Sequence, residues 1–373
     1  MPRLLILCEY PTVLGGERSM LATLPAVAAA GFEICIAAPA TGALPALLDD
    51  RCVPRVTWTA RIEANHRLPL AELRESLAAV IRRTAPDLVH ANSLSTARIA
   101  GPVIRALGVR SIGHLRDILN LSASAIADLN QHSTLIAVSH ATRNFHQRQG
   151  INLQKCRVLY NGIDLDEFRP RPATRYLHRE LQLPQQARFI AVIGQLGIRK
   201  GTDVALLAAQ HTVAQFPETH WLLIGERTSS KAESRDFEIK LQQMSSTPPL
   251  VGHVHFLGNR ADIATLLPEC TLLVHTAHQE PLGRVLLEAI AAGTSIVATN
   301  VGGTREIIPP GEAAGILVPK NDPAAIAQAA ASLLSDESRR VSMALYARHR
   351  AEQAFDIRDA SRRLIEQYEA ALT

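Results

Sequence analysis

The chain has 373 residues with a net charge of +4, and 47% of them are hydrophobic against 20% charged, which excludes a disordered chain and points to two domains. The basic excess, carried by 34 arginines and five lysines, is too small to argue for nucleic acid. The five cysteines (Cys8, Cys35, Cys52, Cys156, Cys270) are scattered without a CxxC pair, and no run of about 18 apolar residues occurs, so the expectation is a cytoplasmic protein with reduced thiols.

Short apolar runs alternate with helical patterns, the signature of α/β architecture with parallel sheets. Strands are expected over 4–8, 32–38, 87–91, 111–115, 134–139 and 157–161, with helices over 17–30, 70–83, 95–107, 121–131 and 140–149. In 70–83, Leu70, Leu73, Leu77, Val80 and Ile81 share one face, and Arg82 and Arg83 close the helix where cations suit its C-terminus. The break Arg169-Pro-Arg-Pro172, just after Tyr160-Asn-Gly-Ile-Asp164, reads as a linker. The alternation then restarts, with strands over 189–194, 220–225, 254–258, 270–276, 295–299 and 315–318 and further helices beyond Pro323. The expected domains are 1–167 and 168–355, with a last helix over 356–373 returning to the first. Two open parallel sheets would place a cleft between the carboxyl ends of both sets of strands.

The segment Glu280-Pro-Leu-Gly-Arg-Val-Leu-Leu-Glu288 follows the strand 270–276 and opens a helix that stops at Gly293. Pro281 is expected at the first helical position, with Glu280 at the entrance and Glu288 about two turns inside. Amides of the first turn would form an anion site between the two carboxylates. A nucleotide-sugar matches that layout, with sugar hydroxyls at one carboxylate, diphosphate over the amides and ribose at the other. No G-x-G-x-x-G follows the first strand, which counts against a dehydrogenase, and neither H-E-x-x-H nor a P-loop occurs. Asp164-Leu-Asp166 is a D-x-D, but its position in a turn before the linker favours a turn-forming pair over a metal site.

Seven local patterns occur together and in order: Gly15-Gly16-Glu17, Asn161-Gly-Ile-Asp164, Gly194-Gln-Leu-Gly-Ile-Arg199-Lys200-Gly201, Phe256-Leu-Gly258, Glu280…Glu288, Gly302-Gly303-Thr304-Arg-Glu306 and Leu317-Val-Pro319. The chain thereby resembles the family-4 retaining glycosyltransferases (glycosyltransferase group 1), over nearly its whole length. The resemblance implies a GT-B architecture, two Rossmann-like domains facing each other across a cleft. It implies that Arg199 and Lys200 hold the donor diphosphate, that Gly15 and Gly16 approach phosphates and sugar, and that Glu288 binds the ribose. Glu280, Pro281, Leu282, Gly283, Arg284 and Val285 would orient the sugar and its phosphate, with Gly194 and Gly258 also on the donor side. His114 matches a histidine placed beside donor sugar and acceptor. His90, at a comparable strand end, joins Arg18, Arg116 and Asp117 as candidates for the acceptor side. One departure is Leu282, where an aromatic residue is frequent in the family.

The implied reaction is transfer of a hexosyl group from a nucleoside diphosphate sugar to an acceptor hydroxyl with retention, in glycan, lipid-linked saccharide or glycoconjugate biosynthesis. His114, Glu280, Arg199 and Lys200 would carry it, and protein cations would make a metal dispensable, so no cofactor is expected. The polar, basic segments near Arg18, 61–68 and 115–122, including Arg61, His66 and Arg67, leave open an anionic or lipid-linked acceptor and peripheral contact with the inner membrane face. Two rival readings are a GT-B-like nucleotide-sugar epimerase, which needs no acceptor, and a non-catalytic subunit that binds nucleotide-sugar or glycan.

Overall fold

The computed structural model describes residues 1–61, 67–311 and 313–373, so His66 lies outside the described residues. The chain divides into two units, Met1–Gly162 with Ile357–Thr373, and Ile163–Asp356.

The first unit runs β1 (Arg3–Leu7), α1 (Gly15–Ala29), β2 (Glu33–Ala38), α2 (Ala43–Asp50), β3 (Arg55–Thr57), α3 (Leu70–Thr84), β4 (Leu88–Ala91), α4 (Leu94–Leu107), β5 (Arg110–Leu115), α5 (Ala123–Leu129), β6 (Thr134–Ala137), α6 (His140–Gln147) and β7 (Cys156–Val158). Its sheet has the order β3-β2-β1-β4-β5-β6-β7, with every pairing parallel. Alternate strand residues enter separate cores, as a two-residue side-chain period requires. Leu5, Leu7, Val89 and Leu115 pack with Leu73, Leu77 and Ile81 of α3. Leu4, Ile6, Leu88 and Ile112 pack with Met20, Leu24 and Val27 of α1 and with Leu364 and Tyr368 near the C-terminus. Neither β3 nor α2 is legible beforehand. The strand has only three residues, and the helix carries Pro45 in its first turn with no side-chain cap at Gly42.

The second unit contains α7 (Tyr176–Glu180), β8 (Arg188–Ile193), a 3-10 turn over Ile198–Lys200, α8 (Thr202–Gln215), β9 (Thr219–Ile224), α9 (Ala232–Ser245), β10 (Val254–Gly258), α10 (Ile263–Leu266), β11 (Leu272–His275), α11 (Arg284–Ala292), β12 (Ser295–Thr299), α12 (Thr304–Ile307), β13 (Ile316–Val318), α13 (Pro323–Ser335) and α14 (Glu337–Ala354). Its parallel sheet has the order β10-β9-β8-β11-β12-β13. The last helix, α15 (Ile357–Leu372), belongs to the first unit. Gly162 allows it to dock, because a Cβ there would lie 2.5 Å from Ile357 Cα. In both sheets the strand order reverses beside the first strand, between β1 and β4 and between β8 and β11. At such a reversal the loops leaving neighbouring strands run to opposite faces of the sheet, the position at which open α/β sheets hold ligands.

One expectation is corrected. The helix of the Glu280–Glu288 segment starts at Arg284, not Pro281, because Gly283 adopts a left-handed conformation (φ +110°) that breaks the helical path ahead of it. Glu280 therefore lies in the preceding loop, and Glu288 is the fifth residue of the helix, little more than one turn inside.

Candidate functional site

In the second unit the residues after β8 are tied to those after β11. The backbone N–H of His278 donates to the Arg199 carbonyl (2.9 Å), and the Thr276 hydroxyl donates to the Lys200 carbonyl (3.0 Å). Gly201 permits this closeness, with φ +64° and a position where a Cβ would sit 2.2 Å from the Thr276 carbonyl oxygen. The Lys200 stem lies over Gly194, and its ammonium reaches Glu280 Oε2 at 2.6 Å. His275 Nε2, from the end of β11, meets the same oxygen at 3.1 Å. Burial by itself would push the Glu280 carboxyl up, but Lys200 and His275 together hold it well below the usual carboxylate range. Burial lowers the His275 imidazole against the opposing pull of Glu280, so it donates Nε2–H as a neutral ring. Both donors converge on one oxygen of Glu280, and among the described residues no partner engages the other, Oε1.

The Glu280 loop is clamped from behind. The Gly303 N–H donates to the Glu280 carbonyl (2.9 Å), and a Cβ on Gly303 would lie 2.4 Å from the Pro281 carbonyl oxygen. Leu282 is buried within the unit. Glu288 is 7% exposed and accepts from Arg284 Nε at 2.9 Å, so its carboxylate is oriented by the helix that carries it. Val285 begins the helix beside Arg284. Arg199 is exposed, and among the described residues no ion pair engages it. Gly258 ends β10 next to the Glu226 carboxylate, which accepts from the Asn259 backbone and side chain.

In the first unit His90 and His114 are the penultimate residues of β4 and β5, which are adjacent strands. His90 Nδ1 is 2.6 Å from the Tyr368 hydroxyl of α15, and His90 Nε2 is 3.2 Å from His114 Nδ1. Burial lowers both imidazoles, His90 to about 3 and His114 well below its usual value, and the Arg116 guanidinium adds to each shift. Arg116 donates to the Asn92 carbonyl (2.8 Å) and side chain (3.0 Å) and to Asn161 Oδ1 (2.8 Å). Gly16 packs against it, because a Cβ there would sit 3.3 Å from Arg116 Cδ, whereas a Cβ on Gly15 would meet nothing within 4 Å among the described residues. Glu17 caps the start of α1 by accepting from the Leu14 N–H (3.2 Å). His90, His114, Arg116, Asn161 and Gly162 line a cavity of about 20 Å³, room for one water-sized group.

Among the expected residues, Arg199, Lys200 and Glu280 are gathered in one place, and His90, His114, Arg116 and Gly16 in another. The Asp117 carbonyl accepts from His146 (2.8 Å), and Arg18 is exposed on α1 without an ion pair among the described residues. Asp164 accepts from the backbone N–H groups of Asp166 and Glu167, an Asx turn. His275 was missed. Its signal was available, since it ends an apolar strand five residues before Glu280 and His114 sits near the end of another, but only the fold shows that it faces the carboxylate. Tyr368 gave no local signal, because its partner His90 is 278 residues away.

The model for glycosyl transferases group 1 matches residues 174–350, and that for glycosyltransferase family 4 matches residues 13–167. The D-inositol 3-phosphate glycosyltransferase of Corynebacterium urealyticum is 30% identical over 234 residues, 60% of this chain and 54% of the relative. The chain thus spans about half the length of the first curated relatives it matches. The phosphatidyl-myo-inositol mannosyltransferase of Mycolicibacterium smegmatis is 26% identical over 389 residues, 98% of this chain and 93% of the relative. The crystal structure of Anabaena Alr3699/HepE in complex with UDP and glucose superimposes with a TM-score of 0.87 at 24% identity, covering 99% of this chain and 100% of that one. At that identity the likeness shows a common fold.

Proposed function

Because the chain belongs to the family-4, group 1 glycosyltransferases, we propose that it transfers a hexosyl group from a nucleoside diphosphate sugar to an acceptor hydroxyl with retention at the anomeric carbon. The observation that carries this reading is the convergence of Lys200 and His275 on one oxygen of buried Glu280, at the strand-order reversal of the second unit. The demand of the reaction is to stabilise a leaving diphosphate as the glycosidic bond ionises. Arg199, Lys200 and the amides leading α11 supply fixed positive potential for it, which is the work a divalent ion would otherwise do. In this reading sugar hydroxyls meet the Oε1 of Glu280, and the ribose diol meets Glu288, the carboxylate that Arg284 orients. Gly15, with no atom of the described residues within 4 Å of its missing Cβ, has the open backbone that a phosphate oxygen could approach. No residue in this reading becomes a covalent nucleophile.

A uridine diphosphate sugar is the first donor to test, since the Anabaena structures carry UDP, UDP with glucose, or UDP-glucose. On the acceptor side, two relatives are named for an inositol phosphate and a phosphatidylinositol, which supports an anionic or lipid-linked hydroxyl acceptor. A screen of UDP-, GDP- and ADP-sugars by thermal shift, with and without magnesium, followed by turnover, tests the proposal. Turnover should survive chelation and fall about 10²–10³-fold in Lys200→Ala. Base-specific binding with sugar epimerised and no acceptor consumed would point to the epimerase reading, and binding without turnover to a non-catalytic subunit.

A further inference from the structure

Tyr368, His90 and His114 form a hydrogen-bonded chain that starts on the C-terminal helix and ends at the cavity bordered by Arg116 and Asn161. The two imidazole planes differ by only 18° with centroids 5.4 Å apart. With 3.2 Å between the nearest nitrogens, the rings meet edge to edge along one N–H···N line and are not stacked face to face.

The direction of this chain follows from its buried end. Tyr368 is 1% exposed, and among the described residues its hydroxyl has no partner except His90 Nδ1. If Nδ1 carried the proton, the phenol hydrogen would be buried without an acceptor, the costly arrangement. The phenol therefore donates to His90 Nδ1. A neutral imidazole that accepts at Nδ1 carries its proton on Nε2, so His90 donates to His114 Nδ1. The same rule then places the His114 proton on Nε2, an atom with no protein partner among the described residues. Burial and the Arg116 charge disfavour imidazolium in both rings, which keeps each at one proton.

We propose that Tyr368 and His90 are positioning residues that impose the Nε2–H tautomer on His114, making it a hydrogen-bond donor to an oxygen of the donor substrate and not a proton acceptor. The substrate role rests on the function proposed above, whereas the tautomer does not. C-terminal helix α15 then acts on the site through two relayed hydrogen bonds, beyond packing on α1.

The test uses the full chain labelled with ¹⁵N at histidine, with His114 assigned from a His114→Gln variant. In the free wild-type protein near neutral pH, His114 should show a protonated Nε2 and an unprotonated Nδ1. Tyr368→Phe keeps the ring that packs on Phe32 but removes the donor, and it should mix the tautomers of both histidines. With a donor substrate, Tyr368→Phe should lower kcat about tenfold with little change in donor KM. The same substitution in the His114→Gln background, where the amide offers a fixed donor, should change kcat less than twofold. A wild-type His114 protonated on Nδ1, or a Tyr368→Phe protein with unchanged tautomers, overturns the proposal even if activity falls. The wild-type spectrum decides the matter without the variant. An intact tautomer in a chain that turns over no donor would sink the transferase reading alone.

Discussion

Glu280 carries two donors on one oxygen and sits where water is largely excluded, so its neighbours stabilise its charge while its burial opposes it. Removing Lys200 alone leaves a buried carboxylate held only by His275. Lys200→Met should lower the unfolding free energy by about 3 kcal/mol in urea titration, and Lys200→Met with Glu280→Gln should recover most of that while turnover stays lost. Recovery of both together would mean that the pair is structural. His132 tests another buried ring. It is fully buried between the Ser111 hydroxyl (3.0 Å) and the Ala97 carbonyl (2.8 Å), and burial lowers it to about 4. Its folded value lies below the unfolded one, so the unfolded chain binds the extra proton between about pH 6.5 and 4. Stability should therefore fall as pH drops through that window. In His132→Gln the slope of stability against pH should be shallower there by up to about 1.4 kcal/mol per unit. An unchanged slope in urea titrations would rule out this titration. Neither Lys200 with Glu280 nor His132 can be paired from spacing alone, since their partners are distant in sequence.

At the scale of elements, glycines decide where loops meet. Gly303 has no room for a Cβ against Pro281 and Leu282, so Gly303→Ala should push the Glu280 loop aside. The expected result is a loss of about 1–3 kcal/mol in stability, with turnover falling at least tenfold. Gly15→Ala is the contrasting case, since its Cβ meets no atom within 4 Å among the described residues. Its melting temperature should stay within a degree or two of wild type, and a loss of donor affinity would report a ligand approaching that backbone. Unchanged affinity would remove Gly15 from the donor site. The alternation of strands and helices, and the apolar face of α3, are legible because burial follows the period of each element. The start of α11 is not, because Pro281 suits a first helical position in isolation while Gly283, where a Cβ would lie 2.8 Å from Leu286 Cδ1, takes φ +110°.

Across the whole molecule, a net charge of +4 and many arginines give a weak field whose effect depends on where cations collect. Among the described residues Arg61 and Arg67 both approach the buried Glu9 carboxylate, at 3.7 and 3.3 Å, a patch of two guanidiniums after β1. Among the described residues no helix is long and apolar enough to cross a membrane. If this patch meets an anionic or lipid-linked acceptor, Arg61→Ser with Arg67→Ser should weaken sedimentation with phosphatidylinositol-containing vesicles at least threefold and leave donor affinity unchanged. Reduced donor affinity would count against that assignment. The amino-acid order by itself determined the two α/β halves and the family, because hydrophobic period and ordered motifs are local properties of the chain. Only the tertiary structure decided that His275 joins Lys200 on Glu280 and that Tyr368 reaches His90. Such contacts join residues far apart in sequence or turned toward each other by the fold, and no local pattern records which partners meet.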